Sequence, residues 1–266
     1  MMNKYIFADC PFNIDFKKGN RNYDDYLAEN CDVNNKVITI CDYSDIVAFS
    51  YGVEHLTEGF NRFFRSRENP TSVMFANDDW SRVSICRGEN GEYSEELMIT
   101  AVYSQLCAYK TLFLHASYID YEGNGIVFVG PSGIGKTTQA ELWQQYQGAQ
   151  IVNGDKAFIR IVDDIVYAYG SPWHGSSQYS VNMKSQLKGI VVLSQADENR
   201  IRKLNEIETM QMFMPHVFMP HWDEISVKQV LETLDLVIKK VPVWFLECRP
   251  DQDAVEITKK TVLDNH

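Results

Sequence analysis

A chain of 266 residues, 45% apolar and 23% charged, carries enough apolar side chain to bury a core and no charge excess that would keep it unfolded. Its net charge of -11 repels nucleic-acid phosphate, and no cluster of Lys and Arg reverses that field locally, which argues against nucleic acid as a partner. A nucleotide bound by such a molecule has to be held by local features: backbone N–H groups, a lysine and a metal.

The six cysteines, Cys10, Cys31, Cys41, Cys86, Cys107 and Cys248, are dispersed without a C-x-x-C pair, so they read as reduced and structural. No apolar run approaches the roughly 20 residues of a membrane span. Met1 to Phe16 lacks the charged-then-apolar order of a signal peptide. A cytoplasmic protein without membrane contact is the expectation.

From Tyr5 to Cys86 short apolar runs such as Val37-Ile38-Thr39-Ile40 and Val73-Met74-Phe75 alternate with turns rich in Asn, Asp and Gly. That pattern predicts a β-rich N-terminal lobe, set at residues 1–92, without a chemical motif. Ser94 can cap a helix running to about Lys110, and residues 93–266 are expected to form the catalytic domain. Leu112 to Ile119 and Gly125 to Val129 read as strands joined by Glu122-Gly123-Asn124-Gly125.

A helix follows over about Lys136 to Tyr146, then a short strand at Ile151-Val152. A hairpin pairing Ala157 to Val162 with Ile165 to Tyr169 across Asp163-Asp164 comes next. Gly189 to Leu193 reads as a buried strand and Glu206 to Met214 as a helix. A further helix spans Ser226 to Lys239, with Ser226 and Gln229 as a capping box and Val227, Val230, Leu231, Leu234 and Ile238 as its buried stripe. Val243 to Leu246 is a last strand, and Asp251 can cap a final helix.

The chemistry concentrates between Gly130 and Thr138. Gly130-Pro131-Ser132-Gly133-Ile134-Gly135-Lys136-Thr137 satisfies G-x-x-x-x-G-K-[ST], with a strand before it and a helix after it. The glycines let backbone N–H groups turn inward around phosphate oxygens, and the helix start adds partial positive charge. Gly130, Ser132, Gly133, Ile134, Gly135, Lys136, Thr137 and Thr138 are therefore the expected nucleotide-binding residues. Lys136 would reach the β and γ phosphates, and Thr137 would place its hydroxyl on Mg²⁺.

Phosphoryl transfer also needs a carboxylate near the metal or the attacking hydroxyl. Asp155, at the end of Ile151-Val152-Asn153-Gly154, is preferred over Asp163-Asp164, which sit where a hairpin turn belongs. Asn153-Gly154 on its own also suits a tight turn. His115 lies on the strand before the loop strand, where a histidine is ordinarily a satisfied core residue. Gly170-Ser171-Pro172-Trp173-His174-Gly175 reads either as a plain turn with an anchoring tryptophan or as a loop covering a ligand. Met214-Pro215-His216 and Met219-Pro220-His221 read as packing rather than as a soft-metal site.

Taken together, His115-Ala116, a glycine turn, the Walker A loop, one helix and a strand ending in an acidic residue resemble the C-terminal domain of HPr kinase/phosphorylase and its shorter HPr-kinase-like relatives. The resemblance covers roughly Leu112 to Tyr169. It implies an α/β core of the HPr kinase/PEP carboxykinase type, with ATP and Mg²⁺ as ligands. By the same resemblance His115 lines the active site, Lys136 binds phosphate, Thr137 and Asp155 meet the metal, and Asp155 is the general base.

Where that family carries Ser-Glu after the lysine and a paired Asp-Asp, this chain has Thr137-Thr138-Gln139 and Gly154-Asp155. The departures point away from HPr itself as acceptor. The chain looks more like the HPr-kinase-like proteins of peptide-modifying systems, which implies a Ser or Thr of a peptide or protein as acceptor and self-association as a homo-oligomer. The core is also similar to the nucleotide domain of ATP-dependent phosphoenolpyruvate carboxykinase, whose full substrate site this chain is too short to supply. A nucleotide-gated binding protein and a small-molecule kinase are the alternatives on the same residues.

Overall fold

The computed structural model describes residues 2–17, 23–28, 36–50, 53–56, 59–175 and 177–264. Cys31 lies outside them. The described chain is mixed α/β, with two main sheets, one separate hairpin and five α-helices among the described residues. It divides into two compact units, Met1–Leu106 and Cys107–His266.

In the first unit β1 (Met2–Phe7), β2 (Cys10–Phe16), β3 (Val37–Cys41), β6 (Arg62–Arg65), β7 (Val73–Ala76) and β8 (Arg82–Cys86) form one sheet in the order β1-β2-β3-β8-β7-β6, and β4 (Val47–Ser50) pairs with β5 (Val53–Leu56) apart from it. Alternation along β2 buries Cys10, Phe12, Ile14 and Phe16, the period of a half-buried strand. Helix α1 (Glu95–Leu106) belongs to this unit, so the division falls after Leu106 and not after residue 92. Its entry is tied down by Ser94 N–H, which donates to Ser72 Oγ at 3.1 Å.

The second unit holds β9 (Thr111–Tyr121), β10 (Asn124–Val129), α2 (Lys136–Gln147), β11 (Gln150–Asn153), β12 (Lys156–Val162), β13 (Ile165–Gly170), β14 (Lys184–Gln195), β15 (Arg200–Lys203), α3 (Glu206–Phe213), α4 (Glu224–Lys240), β16 (Val243–Cys248) and α5 (Gln252–Val262). Its eight strands run β10-β9-β12-β13-β14-β16-β15, with β11 on β9 and a further pairing of β10 with β14. The circuit β10-β9-β12-β13-β14 therefore closes on itself. Strands β10, β14 and β16 are parallel, so their C-terminal ends lie together, the end of a parallel sheet where ligands are ordinarily bound.

Helices α2 and α5 cover this sheet through Ala140, Trp143, Ala254, Val255 and Val262, packed with Ile119, Phe128, Val191 and Leu246. Asp163 and Asp164 both have positive φ, 48° and 68°, and turn the β12–β13 hairpin as the pattern predicts. Asp251 caps α5 by accepting from Ala254 N–H.

Two expectations need correcting. Helix α4 is capped by Asp223, whose carboxylate accepts from Ser226 N–H, so Ser226 is inside the first turn and forms no box with Gln229. Its buried stripe is Ser226, Val230, Thr233, Leu234 and Val237, whereas Leu231 is exposed; packing has chosen the face on which the small polar Ser226 and Thr233 lie beside the aliphatic residues. Strand β15, Arg-Ile-Arg-Lys, carries too little apolar character to be seen in the sequence and exists through its pairing with β16. Among the described residues no helix is long and apolar enough to cross a membrane, which says nothing of strand-built barrels.

Candidate functional site

Strand β10 ends at Val129 and delivers the glycine-rich loop, after which α2 begins at Lys136. Gly133 and Gly135 take φ of 78° and 108°, left-handed values that glycine adopts without a Cβ penalty. Gly130 lies so close to Ile134 that a Cβ there would meet Ile134 Cγ2 at 2.9 Å. Ile134 in turn packs against the core under the loop. Pro131, Ser132, Gly133 and Thr138 are exposed.

Lys136 is buried, with its Nζ donating to the carbonyls of Gly130 at 3.0 Å and Pro131 at 3.2 Å. Burial lowers its pKa from the ordinary lysine value, an effect Asp155 opposes. The start of α2 is fixed from below, since Ser117 Oγ donates to Lys136 O at 2.7 Å. Thr137 Oγ1 donates to Gly154 O at 3.0 Å, which brings the hydroxyl to the turn bearing Asp155.

That turn lies along the edge of β9. The register of β11 on β9 slips between Ile151 and Asn153, a bulge of the kind that re-aims the residues after it. From Asn153 opposite Tyr118 to Lys156 opposite His115 the new register is continuous, and Ala116 N–H donates to Asp155 O at 2.8 Å. Asp155 Oδ1 lies 3.3 Å from His115 Nδ1 and its Oδ2 lies 3.7 Å from Lys156 Nζ. Burial, then Lys136, lowers the His115 pKa, and Asp155 opposes them.

Asn153 is fully buried and holds this arrangement. Its Oδ1 accepts from Asp155 N–H at 2.9 Å and Lys156 N–H at 2.8 Å, and its Nδ2 donates to the carbonyls of Ser171 and Trp173, both at 3.0 Å. Trp173 is buried edge-on to Phe113 and Phe158, so the tryptophan of the 170–175 loop is an anchor. The loop then passes over the carboxylate: a Cβ on Gly175 would sit 2.9 Å from Asp155 Cγ.

A cavity of about 410 Å³ opens beside the loop at the C-terminal ends of β10, β14 and β16, bounded by Gly133, Gly135, Thr138, Gln139, Gln195 and Arg249. Buried Gln139 donates to Cys248 Sγ at 3.3 Å while its Oε1 has no hydrogen-bond partner. A larger cavity of about 680 Å³, around Lys203, Lys240 and Trp244, lies at the other end of these strands, away from the glycine-rich loop.

The structure thus brings Lys136, Thr137, His115 and Asp155 into one neighbourhood and leaves Asp163-Asp164 in their hairpin. Sequence reasoning passed over Asn153 as a turn former and did not single out Lys156, Gln139 or Arg249. Among the described residues no group of three His, Cys, Asp or Glu side chains could cage a metal. The donors that are present, one hydroxyl and one carboxylate, are hard oxygens of the kind magnesium takes together with phosphate and water.

No protein-family model and no curated protein matches the chain. Among solved structures, the HPr(Ser) kinase/phosphatase from Coxiella burnetii is similar over 58% of this chain and 95% of that chain, with 12% sequence identity and a TM-score of 0.34. The candidate site stands on its own geometry.

Proposed function

We propose that the second unit is a P-loop phosphotransferase that moves the γ-phosphoryl group of ATP to a hydroxyl. The observation that carries this reading is the convergence of Lys136, the Thr137 hydroxyl and the Asp155 carboxylate at the loop that ends β10. The polyphosphate would lie on the N–H groups of residues 130–138, its oxygens replacing the Gly130 and Pro131 carbonyls as partners of Lys136 Nζ. The nucleoside end would enter the cavity bounded by Gln139 and Arg249.

Asp155 accepts the proton of the acceptor hydroxyl while the hydroxyl's own oxygen forms the new bond to the γ phosphorus. The bond from that phosphorus to the β–γ bridging oxygen breaks, and its electrons leave with ADP. His115 and Lys156 hold the carboxylate in place, and the 170–175 loop covers it. Thr137 and Asp155 would hold magnesium, which when bound spreads the charge of the β and γ phosphates.

A peptide or protein Ser or Thr is the proposed acceptor. An apolar groove of about 420 Å³ among Met210, Met214, Phe218, Met219 and His221 would receive a side chain of an extended acceptor, which a small metabolite would not need. Incubation with γ-labelled ATP, Mg²⁺ and a peptide library tests the reading. Labelled Ser or Thr that disappears in Asp155→Asn is the expected result. Tight ATP binding with no labelled peptide would leave a nucleotide-gated binding protein, and labelling of free serine would leave a metabolite kinase.

A further inference from the structure

One histidine far from the loop in sequence is brought to it by the sheet. Strand β10 occupies one edge of β9 from Tyr121 to Ala116 and leaves that edge where the loop begins. The chain from 214 to 218 takes the vacated edge: Met214–His216 is a 3-10 turn, Val217 pairs antiparallel with Leu114, and Phe218 N–H donates to Phe113 O at 2.8 Å. One step along this register sets His216 opposite His115.

The faces of β9 show what His216 stands beside. Phe218 stacks on Phe113 at 4.7 Å between ring centroids, and Phe158 meets Phe113 from the other edge at 4.8 Å. Phe158, Phe113 and Phe218 thus form a row across three segments on one face. Two residues along the strands, side chains return to the same face, which sets Lys156 beside His115; His216, the last residue of the 3-10 turn, stands at the other edge of His115 by the register of Val217 on Leu114. That face is the one under α2, because Ser117, next in the alternation after His115, bonds Lys136 O.

Lys156 and Asp155 close one side of His115; His216 closes the other, nearest the point where Gly130 leaves β10. Electrostatics agrees with the placement, since after burial the charges that depress the His216 pKa are those of Lys136 and His115.

We propose that His216 is a further substrate-contacting residue of this site, its imidazole lying against the transferring γ-phosphoryl group beside Lys136. The proposal rests on the phosphotransferase reading. It assigns to the 214–218 segment a part in phosphoryl recognition, where the sequence suggested packing alone.

Carbethoxylation of histidines in the full chain, read by mass spectrometry, tests it without a variant. Mg²⁺ with the non-hydrolysable β,γ-imido analogue of ATP is expected to slow modification of His216 several-fold, while Mg²⁺–ADP leaves its rate unchanged. Equal rates with both nucleotides bound would overturn the proposal and leave the phosphotransferase reading intact. If calorimetry on the same sample detects neither nucleotide binding, both fall.

His216→Gln supplies the second measurement. Loss of one hydrogen bond to a charged group is expected to weaken the imido analogue about tenfold with ADP affinity unchanged. Equal loss for both nucleotides would mark a structural role and overturn the proposal.

Discussion

The Asn153 carboxamide oxygen accepts the backbone N–H of Asp155 at 2.9 Å, so the residue that shapes the turn also sets the direction of the carboxylate. Its nitrogen reaches the Ser171 and Trp173 carbonyls, and one buried side chain joins the turn to the loop that covers it. Asn153→Ala takes the acceptor from two N–H groups, those of Asp155 and Lys156, at roughly 1–3 kcal/mol for each left unsatisfied, while the Ser171 and Trp173 carbonyls keep the hydroxyls of Ser180 and Ser171 as donors. Local relaxation recovers part of this. The expected net loss is about 2–4 kcal/mol, visible as a lower melting temperature, together with loss of transfer activity in whatever fraction remains folded.

Gly189 in β14 has no room for a side chain, because a Cβ there would come within 2.6 Å of Val262 Cγ1 on α5. Gly189→Ala is expected to push α5 from the sheet and to cost about 1–3 kcal/mol, the usual price of overpacking. Val262→Ala in the same chain should recover much of that loss, since it removes the methyl groups in the way. A denaturant series on the two single variants and the double variant checks the coupling; strictly additive losses would mean that the two residues do not meet.

The elements around the loop were legible because their signals are contiguous. An apolar run enters a glycine-rich octet, a lysine opens a helix, and Asp163-Asp164 sits between two apolar runs of hairpin length. The arrangement of the site was legible only in part. Asn153 carries no sign that its amide is saturated from both ends, because its partners at Ser171 and Trp173 belong to a later loop. His216 has none either, since its neighbour His115 is reached only through the bridge of Val217 to Leu114. The face of α4 failed for a different reason: apolarity alone marked Leu231 as buried, whereas the inward face includes Ser226 and Thr233, whose polarity hides it in the sequence.

Stability should depend on pH through the two histidines. Burial, reinforced by Lys136, holds both His115 and His216 below the ordinary value of 6.5, so the unfolded chain binds protons there more readily than the folded one. Stability therefore rises with pH through this window and is lost as pH falls below about 6.5. Carboxylates with depressed folded values, such as Asp164 and Asp251, act on stability at lower pH, around and below the ordinary 3.8. Melting temperatures at pH 7.5, 6.5 and 5.5 should fall in that order, with a shallower decline in a chain carrying both His115→Gln and His216→Gln. An equal decline in both chains would place the sensitivity elsewhere.

Gly175 separates the two uses open to the 170–175 loop. If the loop only anchors Trp173, a methyl group at Gly175 is absorbed by a small shift of an exposed segment and transfer is unaffected. In the structure that methyl would stand 3.0 Å from Asp155 Oδ2, tighter than ordinary van der Waals contact, and Asn153 and His115 leave the carboxylate little freedom to yield. Gly175→Ala is therefore expected to lower the rate of phosphoryl transfer by about tenfold or more, the scale on which small misplacement of a reacting group acts, while ATP affinity stays within about twofold because the loop at 130–138 is not touched. Single-turnover transfer and calorimetry on the same preparation separate these effects; an unchanged transfer rate would reduce the loop to its tryptophan anchor.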